Sequence, residues 1–136
     1  MKRIYAALLS SALATILTAC CNSSENISRT SANGEIEFNK QTADLGNLTS
    51  GDKAGARFEF RNVSNVDVYI TNVSTGCGCT EARFPKDAIR PGRKGSVELI
   101  FDSTGMHGYQ YKTAIVETNS DIQPVIKLAL TASVDY

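Results

Sequence analysis

Residues 56–62 read Ala-Arg-Phe-Glu-Phe-Arg-Asn, which puts Phe58 and Phe60 on one side of an extended chain and Arg57, Glu59 and Arg61 on the other. The same two-residue period returns with Val66, Val68 and Ile70, with Val97, Leu99 and Phe101, and with Ile126, Leu128, Leu130, Ala132 and Val134. Side chains alternate faces along a strand, so each segment reads as a strand with one buried face. Ala114, Ile115 and Val116 stand in a row within residues 111–118, apolar on both faces as in a central strand. Turn-forming residues separate the segments: Asn62 to Asn65, Pro91-Gly92, Gly105 to Gly108, and Asn119 to Asp121. About seven short strands in about one hundred residues predict an all-β fold, a sandwich of two sheets. The chain has no Trp, and its two cysteines within this region are too close in sequence to pin two sheets together, so the core must be aliphatic with Phe and Tyr. No helical period is evident beyond the N-terminus, and there is no internal repeat.

The first residues, MKRIYAALLSSALATILTAC, break the pattern. Lys2 and Arg3 precede an uncharged apolar run from Ile4 to Leu17, the layout of a signal peptide and too short for an ordinary membrane span. The run closes on Leu17-Thr18-Ala19-Cys20, which resembles a bacterial lipobox: an aliphatic residue, two small ones, then the cysteine that is acylated before cleavage in front of it. Residues 1–19 are therefore expected to be removed and Cys20 to carry lipid. Cys21 is the poorer candidate, because Cys20 would then stand where Gly or Ala is usual. The residue after Cys20 is not Asp, which by resemblance to lipoprotein sorting favours the outer membrane, facing either the periplasm or the outside. The segment 20–34 is small and polar with one large apolar residue, Ile27, and cannot build a core; it reads as a tether, and a flexible coil of about 14 residues reaches roughly 20 Å. Residues 35–136 then form one domain with one core.

Removing Lys2 and Arg3 leaves 12 basic against 14 acidic side chains, a net charge of −2. Such a balance offers no electrostatic reason to expect nucleic acid or anionic lipid as a partner. The Asn-x-Ser/Thr triplets at Asn22, Asn26, Asn47, Asn62 and Asn72 are discounted in a bacterial lipoprotein, and Asp102-Ser103-Thr104, which matches a short O-glycosylation pattern, reads as a turn. Arg83, Lys86, Arg90, Arg93 and Lys94 around the Pro-Gly turn, and Lys112 and Lys127 on strands, read as solvated charge, with an acidic partner for the cluster as the sharper alternative.

The order of several features resembles the bacterial domain-of-unknown-function family 1573. These are Phe-x-Phe-x-Asn at Phe58, Phe60 and Asn62, a strand running into Gly76-Cys77-Gly78-Cys79-Thr80, Ile89-x-Pro91-Gly92, the corner from Phe101 to Gly108, and Asn119 after the penultimate strand. The resemblance covers nearly all of the domain. More distantly, the Pro-Gly turn and strand order are similar to immunoglobulin-like domains of the PapD and major sperm protein type. It implies an immunoglobulin-like sandwich in the cell envelope, of a kind that binds partners and catalyses nothing.

Cys77 and Cys79 carry the main chemistry. In extended chain, residues i and i+2 face the same way with Cα atoms about 6.6 Å apart, near the upper limit of roughly 6.8 Å for a disulfide. Closure asks the chain to bend at Gly78. An exported protein favours oxidation, and a reduced pair would be a soft clip for Cu(I) or Zn(II). Met106 and the only histidine, His107, would supplement such a clip if a single strand intervenes between the strand ending at Thr75 and the one ending at Asp102, because both ends then emerge at one pole. A Cys/His hydrolase would need the same proximity and lacks an orienting third group. The sequence thus predicts a lipid-anchored, non-catalytic module that binds an envelope protein, and as the alternative a soft-metal or thiol-redox function at Cys77 and Cys79.

Overall fold

The computed structural model describes residues 33–136. Cys20, Cys21, the signal segment and all but the end of the expected tether lie outside them. Eight strands follow in order: β1 (Ile36–Phe38), β2 (Thr42–Thr49), β3 (Lys53–Asn62), β4 (Ile70–Thr75), β5 (Thr80–Arg83), β6 (Lys94–Asp102), β7 (Gly108–Thr118) and β8 (Val125–Asp135). They form two four-stranded sheets, β1-β3-β6-β5 and β2-β8-β7-β4, and the described residues contain no helix. All pairings are antiparallel except β2 with β8.

The alternating residues meet between the sheets as anticipated. Phe58, Phe60, Val97, Leu99 and Phe101 from one sheet pack with Ala114, Val116, Leu128, Leu130, Ala132 and Val134 from the other, all buried. Gly95 stands opposite Phe60 in the β3–β6 register, and a Cβ there would come within 2.5 Å of the Phe60 ring. Gly95→Ala is therefore expected to cost about 1–3 kcal/mol through overpacking, read as a lowered urea midpoint.

The segment from Val66 departs from expectation. It pairs only through an isolated bridge between Val68 and Ile89, and regular pairing starts at Ile70. Asn62 explains this. Fully buried, it donates from Nδ2 to the carbonyls of Val66 and Ile89, each at 2.7 Å, and accepts from the Ser64 amide at 2.9 Å and the Ser64 hydroxyl at 2.6 Å. The Val66 carbonyl is thus spent inside the loop. Its main-chain atoms also close the Pro-Gly turn, with Asn62 N–H donating to Arg93 and Gly92 N–H donating to Asn62. At the same pole Asn119 accepts from the Tyr69 amide, and the buried Ser120 hydroxyl donates to the Gly34 carbonyl. Gly34, expected to end the tether, is itself buried against Val68.

At the opposite pole, the Asp102-Ser103-Thr104 corner is a turn. Ser103 is fully buried, its Oγ 2.9 Å from the carbonyl oxygens of both Thr49 and Asp52, so the folded domain does not present this hydroxyl for modification. Asp102 accepts from the hydroxyl and amide of Thr104 and pairs with Lys53 at 3.1 Å, which together hold its carboxyl down to about 2 from an ordinary 3.8. A depressed carboxyl stabilises the fold above the unfolded value and loses that contribution as pH falls through the folded one. The stability difference between the native chain and Asp102→Asn should accordingly be constant near neutrality and shrink between about pH 4 and about pH 2, as followed by urea titration at each pH.

The two outer faces differ. On the β1-β3-β6-β5 sheet the register sets Lys53 against Asp102, Arg57 and Arg83 against Glu98, and Glu37 against Arg61. The other sheet shows mainly Tyr, Thr, Ser and small apolar residues. The chain enters beside Asn62, and β3 then spans roughly 30 Å at about 3.3 Å per residue. The β4–β5 and β6–β7 connections lie at the far pole from that entry.

Candidate functional site at the cysteine loop

β4 ends at Thr75 and β5 begins at Thr80, so four residues, Gly76 to Cys79, carry the chain from the edge of one sheet to the edge of the other. Main-chain bonds hold both ends. Gly76 N–H donates to Thr113 at 3.2 Å, and Asp102 N–H donates to Cys79 at 2.9 Å. The Thr75 hydroxyl donates to the Cys77 carbonyl at 3.1 Å. Within this frame Cys77 and Cys79 are joined by a disulfide, with Cα atoms 5.2 Å apart. The chain is bent relative to a strand, yet Gly78 has no positive φ and a Cβ there would meet nothing within 4 Å. Gly78→Ala should leave the disulfide formed and shift stability by less than about 1 kcal/mol, as measured by free-thiol titration and urea unfolding.

Thr80 is the polar neighbour of both sulfurs. It is buried, and its Oγ1 lies 3.6 Å from Cys77 Sγ and 3.9 Å from Cys79 Sγ; since bonded sulfurs carry no proton, the hydroxyl is the donor. The disulfide separates two surface hollows. One is lined by Gly76, Cys77, Tyr111, Lys112 and Thr113. The other is lined by Lys53, Gly78, Cys79, Glu81, Ile100 and Asp102.

The strand count between Thr75 and Asp102 is one, β5, so the cysteines, Met106 and His107 do share a pole. They do not form one cluster. Cys79 and Met106 are half-buried and pack against the core, whereas His107 is exposed and stacks its ring on Tyr136, centroids 5.5 Å apart. Among the described residues no group of three or more His, Cys, Asp or Glu side chains is placed to hold a metal ion. A soft-metal clip would require the Cys77–Cys79 bond to be reduced and His107 to leave Tyr136.

Thr80 carries no role in the sequence pattern, and Lys112 does not stand among the solvated charges as expected. The Lys112 side chain is half-buried and its ammonium lies 5.4 Å from the centre of the Phe101 ring, next to Thr80, the register partner of Phe101. The signal was available, because Lys112 shares its parity along β7 with the buried Ala114 and Val116.

The fold and this loop define an immunoglobulin-like, PapD-like sandwich closed at one pole by a four-residue loop that carries a disulfide. The chain belongs to the family described as Protein of unknown function (DUF1573), whose model matches residues 36–134. No curated protein matches the chain. A protein of unknown function from Porphyromonas gingivalis W83 is 21% identical with a TM-score of 0.66, the match covering 80% of this chain and 51% of that one. The secreted serine protease VesC from Vibrio cholerae is 18% identical with a TM-score of 0.56, covering 73% of this chain and 23% of that one. PapD-like domain 7 of human CEP192 is 11% identical with a TM-score of 0.60, covering 98% of both. The chain thus spans about half of the first of these and under a quarter of the second. At these identities the likeness is one of fold.

Proposed function

We propose that this protein is an envelope lipoprotein, held by an acylated Cys20 in the outer membrane, whose sandwich is a non-catalytic module that binds another envelope protein by strand addition. The observation that carries the reading is the free edge of β4. Its sequence, Ile-Thr-Asn-Val-Ser-Thr, contains no charge and no proline. The other three edges carry a guard: β1 has Glu37 in only three residues, β2 has Asp44 and an interruption after it, and β5 has Glu81 and Arg83 in four. Proteins ordinarily blunt an open edge with charge, proline or brevity, because unpaired N–H and C=O groups template pairing with another chain. An unblunted edge is the feature that a partner strand uses. The catalytic alternative gains nothing from the site, since both thiols are in the disulfide and the one imidazole is stacked on Tyr136.

Placing lysines on that edge tests the reading. Thr71→Lys with Ser74→Lys, both at exposed positions, should change stability by less than about 0.5 kcal/mol while abolishing co-fractionation with the partner complex. Unchanged co-fractionation with both lysines present would refute strand addition.

A second reading, thiol exchange at Cys77 and Cys79, is favoured over the metal clip by the disulfide itself and by its place at the pole away from the chain entry.

A further inference from the structure

Resting on that thiol-exchange reading, we propose that the Cys77–Cys79 disulfide accepts electrons from a partner dithiol, with Cys79 the sulfur attacked and Cys77 the sulfur that leaves. The asymmetry comes from what surrounds each sulfur. The hollow beside Cys77 has one formal charge among its lining residues, the Lys112 ammonium, and the buried Thr80 hydroxyl is nearer to Cys77 Sγ, at 3.6 Å, than to Cys79 Sγ. The hollow beside Cys79 is lined by two carboxylates that are each in an ion pair, Asp102 with Lys53 at 3.1 Å and Glu81 with Arg83 at 3.0 Å, so it offers no unpaired cation to a thiolate. A departing thiolate is stabilised by a cation and a hydrogen-bond donor and destabilised by carboxylates. Negative charge therefore forms on Cys77 at lower cost than on Cys79, and a better leaving thiolate leaves faster.

In the first step the partner thiolate gives its electron pair to Cys79 Sγ, a new S–S bond forms, and the Cys77–Cys79 bond breaks with its pair departing on Cys77 Sγ. In the second step the partner's other thiol, deprotonated, attacks the partner sulfur of the mixed disulfide and releases Cys79 as thiolate. The two protons given up by the partner dithiol end on Cys77 and Cys79. The partner is oxidised by two electrons and this chain is reduced by two. The loop is open at Gly78, and it faces away from the chain entry.

The test uses the folded full chain with a small thiol. Cysteamine, a cationic thiol, is added and the newly freed cysteine is trapped with iodoacetamide, and peptide mass spectrometry locates both adducts. Cysteamine is expected on Cys79 and the alkyl group on Cys77. Reduction by dithiothreitol should slow about three- to tenfold in Lys112→Gln and stay unchanged in Lys127→Gln. A purely structural disulfide would show none of these signatures. Cysteamine on Cys77, or an unaltered rate in Lys112→Gln with its fold intact, would overturn the assignment of roles while leaving exchange itself in place. A disulfide that dithiothreitol reduces only after unfolding would remove both the assignment and the thiol-exchange reading.

Discussion

Asn62→Leu is expected to lower the stability of the domain by about 2–4 kcal/mol, because the Val66 and Ile89 carbonyls lose their shortest donor and keep only the Ser64 hydroxyl at 3.2 Å and the Val68 amide at 3.1 Å. The side chain is fully buried and its four hydrogen bonds close the loop between β3 and β4 on itself and on Ile89. Leucine is near in volume but returns none of them. Against a total stability of about 5–15 kcal/mol, the loss should bring the urea midpoint close to zero for a domain at the lower end of that range. Asn62→Asp should be no milder than leucine above the carboxyl range, since its ionised Oδ2 would face both carbonyl oxygens at a fully buried position, and should improve as pH falls and the protonated carboxyl can donate to one of them. A loss below about 1 kcal/mol for the leucine variant would mean that water replaces the side chain at both carbonyls.

Cys20→Ser is expected to abolish incorporation of an alkyne-tagged fatty acid altogether, and with it the membrane anchoring of the chain. In the proposed anchoring the first lipid is joined through the Cys20 sulfur, which serine cannot supply, and each methylene of acyl chain buried in a membrane contributes about 0.8 kcal/mol. A serine in its place removes the thioether and the cleavage that depends on it, so the variant should also keep residues 1–19 and run as the longer chain. Cys21→Ser should do neither. Persistent labelling of Cys20→Ser with loss in Cys21→Ser would move the anchor by one residue; labelling in both variants would show that the lipobox is not used.

The sandwich was legible because its core strands alternate strictly. Phe58 and Phe60, Leu99 and Phe101, and Leu128 and Leu130 needed nothing but parity to be placed inside. The short edge strands were not legible. β1 and β5 have three and four residues, and their pairing depends on β3 and β6, which are distant in sequence, so no local period announces them. The Val66 segment failed for the opposite reason: its local pattern is that of a strand, but a buried Asn side chain takes its carbonyl out of pairing. Of the site, the cysteine pair stood out by composition, and the shared pole followed once a single strand was found between Thr75 and Asp102. The stacking of His107 on the C-terminal Tyr136 could not be read, since it rests on where β8 ends relative to β7. The contrast between the β4 edge and its three guarded counterparts needed the strand order before it meant anything.

β4 is the edge proposed to receive a partner. Its most direct test is photo-crosslinking in intact cells, with a photoreactive residue placed at Thr71 or Ser74 on that edge and, for comparison, at Arg57 on the charged outer face of the other sheet. One discrete adduct from both β4 positions, absent from Arg57 and lost when the second β4 position carries lysine, is the result expected. Adducts that form equally from Arg57, or none from a chain shown to be folded and anchored, would contradict it.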